Sequence, residues 1–358
     1  MTTARRTLTV PPFYCPLPEA RYGRPDEIDE AAVAWVLDRG VRDRGDRMTA
    51  MKAGWYLACC LPRLRDEPAV PLLNLLYWAT AWDDDLDTTP GLDQPAGMVR
   101  HVARLRRAMA YPEAALPPDQ PLLRSFQEIW RGLAAHSTPG QLAQFRQGFC
   151  DYLDGVLWKS VNQATGELPE LGDYLIMRAN DVAGPWLSVL TQIGAGYELT
   201  ARELAHPGVR ACVEAMSVLV GLDNDLLSRH KERLFGVFDQ DAVAVMRRDH
   251  ACPVDEAVEH VRALRDRIMT LYLRLRDQLA ADAGPVVARF VHDIGYWVRG
   301  QIVWAAFTSR YSRPVDPSTG EEVEFGGFGP RWADAPADPD PSPPAVAQIA
   351  WWWEQLDR

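Results

Sequence analysis

Four carboxylates, Asp83, Asp84, Asp85 and Asp87, close the apolar run YWATAW at residues 77–82, and Pro90-Gly91 follows. Negative side chains at a helix C-terminus oppose the macrodipole and repel one another, each effect costing up to about 1 kcal/mol. No Lys or Arg lies between residues 66 and 99. Compensation must therefore come from a distant residue that folds back or from a divalent cation. Oxygen ligands of this kind suit Mg²⁺, usually held by one or two carboxylates together with substrate phosphate oxygens. Asp83 and Asp87, four apart, share a helix face and are the expected metal ligands, whereas Asp84 and Asp85 point progressively away.

A second oxygen-rich group lies in GLDNDLLSRHKERLFG, residues 221–236. Asn224, Ser228 and Glu232 stand at i, i+4 and i+8, which on a 3.6-residue helix drifts only about 40° per step. The same stripe runs N-terminally through Val220, Ser217 and Val213, so a polar site would sit at the mouth of an apolar surface. Alone, the pattern also fits an ordinary amphipathic helix. Beside the aspartate run it reads as the other half of a metal site.

Long helices must carry both groups. Apolar residues recur at three- and four-residue spacings in DEIDEAAVAWVLDRGV, GQLAQFRQGFCDYLDGVLWKSV, DEAVEHVRALRDRIMTLYLRLRDQLAAD and PVVARFVHDIGYWVRGQIVWAAFTSRY, and no comparable stretch alternates with period two. The fold class is all-α. Residues 1–26 are proline-rich and irregular, 27–313 form one helical domain, and 314–358, with eight prolines before Pro344 is passed, form a tail with a short terminal helix in AVAQIAWWWEQLDR.

The 358 residues, 47% hydrophobic with 13 Trp, suffice for a large core. A net charge of -11 argues against tracking nucleic-acid phosphates. The N-terminus lacks the apolar h-region of a secretory signal and no apolar run approaches a membrane span, so a cytoplasmic protein without membrane insertion is expected. The six cysteines show neither C-x-x-C spacing nor a partner histidine cluster, which fits reduced thiols.

Together these residues resemble a class I terpene synthase of the bacterial cyclase type. Asp83-Asp84-Asp85-Leu86-Asp87 is similar to that family's DDxxD motif, and residues 224–232, NDLLSRHKE, to its NDxxSxxxE triad, with Lys231 before the glutamate. Arg178, 46 positions before Asn224, stands where the family has a diphosphate-sensing arginine, and Arg310-Tyr311 where it has an Arg-Tyr pair. The resemblance covers about residues 10–313. It implies a helical bundle around a deep apolar cavity, an isoprenoid diphosphate substrate, farnesyl diphosphate first and geranylgeranyl diphosphate as the alternative, and cyclisation of the resulting carbocation. It also implies three Mg²⁺ ions, held by Asp83 with Asp87 and by Asn224, Ser228 and Glu232. Arg178, Lys231, Arg310 and Tyr311 would bind diphosphate. Arg178, Asp181 and Val182 would form the ionisation trigger at a helix break, and Trp304 would face the cation. Homodimers are common in such families, and nothing in this sequence decides the oligomeric state.

Shielding a carbocation calls for aromatic faces and exclusion of water. Trp186, Trp78, Phe307 and Tyr56 are further candidates for the wall, each equally suited to packing. Ala79 and Thr80 are small where the family commonly places bulky aromatics, and Gly221 costs about 1 kcal/mol inside a helix. A roomy pocket would explain both. A chain-elongating prenyl diphosphate synthase would need a second aspartate-rich motif in place of the Asn-Ser-Glu triad. His292-Asp293 lacks the ligand set of a metal phosphohydrolase, and a noncatalytic helical scaffold leaves both metal motifs unexplained.

Overall fold

The computed structural model describes residues 6–7, 10–43, 47–88, 94–116, 120–236, 238–316, 318–326 and 328–356, without the side chains of residues 6, 7, 47, 50, 87, 88, 235 and 326. The described residues are mostly helical between Pro25 and Ser312. Helices α1 (Pro25–Asp38), α2 (Ala53–Cys60) and α3 (Asp66–Thr88) pack on one another, with α4 (Pro95–Ala110) and α5 (Pro121–Ala135) outside them. The 27-residue α6 (Pro139–Thr165) then runs beside α7 (Leu171–Asp181) and α8 (Gly184–Ala195). After the single turn α9 (Ala201–Leu204), the long α10 (Pro207–Phe235) crosses the molecule. It packs against α7, α8, α12 (Val254–Asp282), which follows α11 (Ala242–His250), and α14 (Gly295–Ala305), which follows α13 (Pro285–Asp293). Two single turns, α15 (Ser309–Ser312) and α16 (Ala347–Ala350), complete the set.

Local sequence sets the helix ends. Thr138 and Gln141 form a reciprocal capping box at the start of α6, Pro139 occupies its first turn, and Gly166 closes it in the left-handed conformation at φ 69°. The core beneath is aromatic. Trp78 on α3 stacks on Trp82 with centroids 5.6 Å apart, and meets Phe126 of α5 at 4.7 Å. Phe126 stacks in turn on Phe149 of α6 at 4.9 Å. Rings bury large apolar areas and add about 1 kcal/mol per favourable pair, so this ladder locks α3 against α5 and α6. The C-terminal half of α3, with its carboxylates, is thereby held in place.

The tail does not continue the helical pattern, but it is docked. Two two-residue strands, β1 (Arg6–Thr7) and β2 (Phe325–Gly326), pair in parallel. Phe13 and Ala333 donate backbone N–H groups to the carbonyls of Arg331 and Phe13. Fully buried Trp352 donates its indole N–H to Glu214 of α10 at 2.7 Å. Among the described residues no helix is long and apolar enough to cross a membrane, and all six cysteines are free thiols.

His101 of α4 lies nearly parallel to the Trp82 ring, centroids 5.8 Å apart, with a buried Nε2 that meets no partner among the described residues. Burial, reinforced by the Arg104 charge, pushes its pKa down to about 4. The unfolded chain takes up this proton first, near pH 6.5. The stability associated with the neutral ring is therefore complete above pH 6.5 and is lost as pH falls towards 4, by up to about 3 kcal/mol. The fall in denaturant midpoint between pH 7 and pH 4.5 should be smaller in His101→Leu than in the unaltered chain. An acid-induced loss equal to that of the unaltered chain would refute this.

Candidate active site

A cavity opens between α3, α7, α10 and the α14–α15 corner. Its apolar wall includes Leu76, Ala79, Trp186, Val220 and Trp304, and its mouth carries Asp83, Arg178, Asn224, Lys231, Glu232 and Arg310. The two oxygen-rich groups, 137 positions apart at their nearest, thus border one mouth. Asp83 lines it directly. The backbone of Asp87 belongs to α3, while its side chain lies outside the described residues.

The positive charge that the sequence near the aspartates lacks does fold back. Arg310 of α15 donates through Nη2 and Nη1 to the Asp84 carboxylate at 2.9 and 3.2 Å, and Lys231 approaches to 3.9 Å. Burial opposes ionisation of Asp84, yet Arg310 and Lys231 hold its pKa down to about 2. Asp84 therefore faces the basic groups of the mouth instead of pointing away from it. Adjacent helical residues differ by only 100°, and the direction of the partners decides which is used. Asp85 turns outward to Arg42 at 2.8 Å.

On α10, Ser228 donates to Glu232 at 2.6 Å, and the Asn224 amide donates to the Tyr311 hydroxyl at 3.1 Å. Asn224 Oδ1 accepts from Arg178 Nη2 at 2.6 Å. The other two nitrogens of that guanidinium also bond, Nε to Asp225 at 2.9 Å and Nη1 to Asp181 at 2.7 Å. Although burial opposes its charge, Asp225 and Asp181 keep the Arg178 pKa above its usual value. Lys231 is pushed the other way by burial and by Arg310. Asp225 is also held by the Tyr174 hydroxyl and by the Ala242 N–H at the start of α11. Tyr174 and Asp225 were not singled out by sequence, although Asp225 sits inside the triad segment.

Asp181 ends α7, and the break before α8 contains Val182 and then Ala183 at φ 73°. A non-glycine residue there stores about 1–3 kcal/mol of strain. The break is clasped from both sides. A Cβ on Gly155 of α6 would stand 2.7 Å from Asp181 N, and one on Gly221 of α10 would stand 2.7 Å from Arg178 Cγ. Gly221 is thus explained by the close passage of Arg178, not by a roomy pocket. Arg178, Asp181 and Val182 all line the cavity.

Trp304 is fixed edge-on between Tyr56 and Tyr311, centroids 5.0 and 5.6 Å away, and its Nε1 donates to the Met51 and Lys52 carbonyls, both at 3.1 Å. Trp304, Trp186 and Tyr56 line the cavity. Trp78 instead donates to the Leu122 carbonyl within the aromatic core, and Phe307 lies 45% exposed against Trp55. Both are packing residues. Ala79 and Thr80 face the cavity, as their size implied.

The donor set fits Mg²⁺. Asp83, Asn224, Ser228 and Glu232 offer oxygen as their only metal-donor atom, while the cationic groups of the mouth supply positive charge for a polyanion. The family model for terpene synthase family 2, C-terminal metal binding, matches residues 74–270. The chain is 31% identical to bonnadiene synthase from Allokutzneria albata over 97% of this chain and 98% of that one. It is 28% identical to the (+)-T-muurolol synthase of Streptomyces clavuligerus, whose name describes it as (2E,6E)-farnesyl diphosphate cyclizing, over 95% and 81%. A crystal structure of the SVS_A2 protein, from ancestral sequence reconstruction, superposes with a TM-score of 0.85 at 29% identity, covering 97% of this chain and 99% of that one. The aspartate run, residues 224–232 and Arg178 all fall within the matched span, and this chain belongs to the terpene synthase family.

Proposed function

We propose that this protein is a Mg²⁺-dependent cyclase that ionises a linear isoprenoid diphosphate, farnesyl diphosphate first, and closes the carbocation into a cyclic terpene with release of diphosphate. The observation that carries the proposal is the position of Arg178, bonded at once to Asn224 of the triad and to Asp181 at the helix break. Asp83 with Asp87 would hold metal on one side of the mouth and Asn224, Ser228 and Glu232 on the other, with three ions in all. Bound there, Mg²⁺ supplies Lewis-acid stabilisation of charge on the leaving diphosphate.

The rest follows from the chain itself. Arg178, Lys231 and Arg310 offer cationic donors to phosphate oxygens, the two guanidiniums in planar forks, and the Tyr311 hydroxyl adds a further donor. A diphosphate arriving at the mouth competes with Asp84 for Arg310 and with Asn224 for Arg178. Movement of Arg178 pulls on Asp181 and so on Val182, whose backbone lies at the break. Behind the mouth, Trp304, Trp186 and Tyr56 line the cavity, and cation–π attraction to such rings would stabilise positive charge without a nucleophile once bound substrate has displaced water.

Geranylgeranyl diphosphate is the second reading, favoured by the small Ala79 and Thr80 on the wall. Purified protein with Mg²⁺ and C10, C15 or C20 diphosphates, analysed by gas chromatography, should yield a cyclic hydrocarbon or alcohol from C15, or from C20 if the second reading holds. No such product from any of the three would sink the cyclase reading, and a longer linear diphosphate would indicate chain elongation. Ala79→Phe should lower kcat/KM for C20 relative to C15 by about tenfold or more, because apolar pockets discriminate by roughly 10–200-fold per methylene. An unchanged ratio would show that Ala79 does not set chain length.

A further inference from the structure

Away from the cavity, the turn between α11 and α12 gathers three unlike donors. Cys252 ends the turn, and Glu256 and His260 stand four apart on α12. The Cys252 sulfur, a Glu256 carboxylate oxygen and a His260 imidazole nitrogen all lie within 4.8 Å of one another, with His260 Nε2 3.9 Å from Glu256 Oε1. Sequence spacing alone suggested no histidine partner for any cysteine. The fold supplies one because Ala251 takes a left-handed turn at φ 49° and the Cys252 N–H bonds back to the Arg247 carbonyl at 3.3 Å. That turn brings the thiol towards the first turns of α12.

A second imidazole backs the first. The His250 ring lies almost flat on that of His260, centroids 3.9 Å apart and 10° from parallel. Two histidines, a thiol and a carboxylate meet at one corner, against the all-oxygen donors of the catalytic mouth. Thiol and imidazole donors select Zn²⁺-like cations, whereas oxygen-only donors select Mg²⁺.

We propose that Cys252, Glu256 and His260 bind a thiophilic divalent cation of the Zn²⁺ class, with His250 orienting the His260 ring and solvent completing the coordination. Tetrahedral Zn²⁺ places its ligand atoms roughly 3.5 Å apart. The donors must therefore close by about 1 Å, which rotation of these exposed or half-buried side chains provides. Binding ties the C-terminal end of α11 to α12. Because α11 is capped at its other end by Asp241, a cavity-lining residue, the staple also steadies that wall.

The test uses the full chain, reduced and stripped with chelator, titrated with Co²⁺ in excess Mg²⁺ so that the oxygen sites are filled. One Co²⁺ per chain should give the near-ultraviolet thiolate-to-metal charge-transfer band, displaced by Zn²⁺. Cys252→Ser should abolish the band, and His260→Gln should weaken binding about tenfold or more. Zn²⁺ should raise the thermal midpoint of the unaltered chain and leave that of Cys252→Ser unmoved. Absence of the band in fully reduced protein, or its survival in Cys252→Ser, would overturn the site. Neither outcome bears on cyclase activity, which is read separately.

Discussion

Arg178→Lys is expected to lower kcat by about a thousandfold while the chain still folds. Three nitrogens of the guanidinium reach three different acceptors, on Asp225, Asp181 and Asn224. An ammonium keeps the charge but is a point donor on a flexible stem, and it cannot hold the same three directions. Loss of one preorganised donor at a site of developing charge costs about 10²–10³ in kcat, and here the link to the helix break is lost with it. Arg178→Ala would confound the measurement. It strands the buried Asp225, and breaking a buried pair by removing one partner costs about 3–5 kcal/mol. The informative comparison is therefore single-turnover diphosphate release by Arg178→Lys beside its thermal midpoint. A rate within tenfold of the unaltered chain would remove Arg178 from the trigger.

The parts of this site legible in sequence were those encoded by local periodicity. Asn224, Ser228 and Glu232 share a stripe because 3.6 residues make a turn, whatever packs around them. What sequence did not carry was the direction from which partners arrive. Asp84 is the aspartate that hydrogen-bonds Arg310, with Asp83 3.9 Å from the same guanidinium, because α15 approaches the end of α3 from that side. Gly221 suggested empty space, and the structure fills that space with the Arg178 side chain. Trp78 and Trp304 are equally apolar tryptophans on helices. One is sealed by the rings of Phe126 and Phe149, the other borders the cavity, and only the tertiary packing separates them. Cys252 and His260 are eight apart with a proline between, so the turn at Ala251 had to be seen before their proximity could be.

Asn224→Ala is expected to reduce kcat/KM by about a thousandfold or more and to raise the Mg²⁺ concentration needed for half-maximal rate by at least about tenfold. The amide has two separable jobs. Its oxygen accepts from Arg178 at 2.6 Å and is one of three triad donors, and its nitrogen donates to the Tyr311 hydroxyl at 3.1 Å. Alanine removes both, whereas Tyr311→Phe removes the second alone. If Asn224 acts as a metal ligand, Asn224→Ala shifts the Mg²⁺ requirement and Tyr311→Phe lowers the rate without that shift. Asn224→Asp restores an oxygen and should recover part of the Mg²⁺ affinity, although a new carboxylate beside Asp225 adds like-charge repulsion. The fold should tolerate all three changes, because the triad face lines a cavity mouth and its loss leaves the aromatic ladder untouched. An Asn224→Ala enzyme that is slow at every Mg²⁺ concentration with an unmoved half-saturation point would show that Asn224 serves only to orient Arg178 and Tyr311.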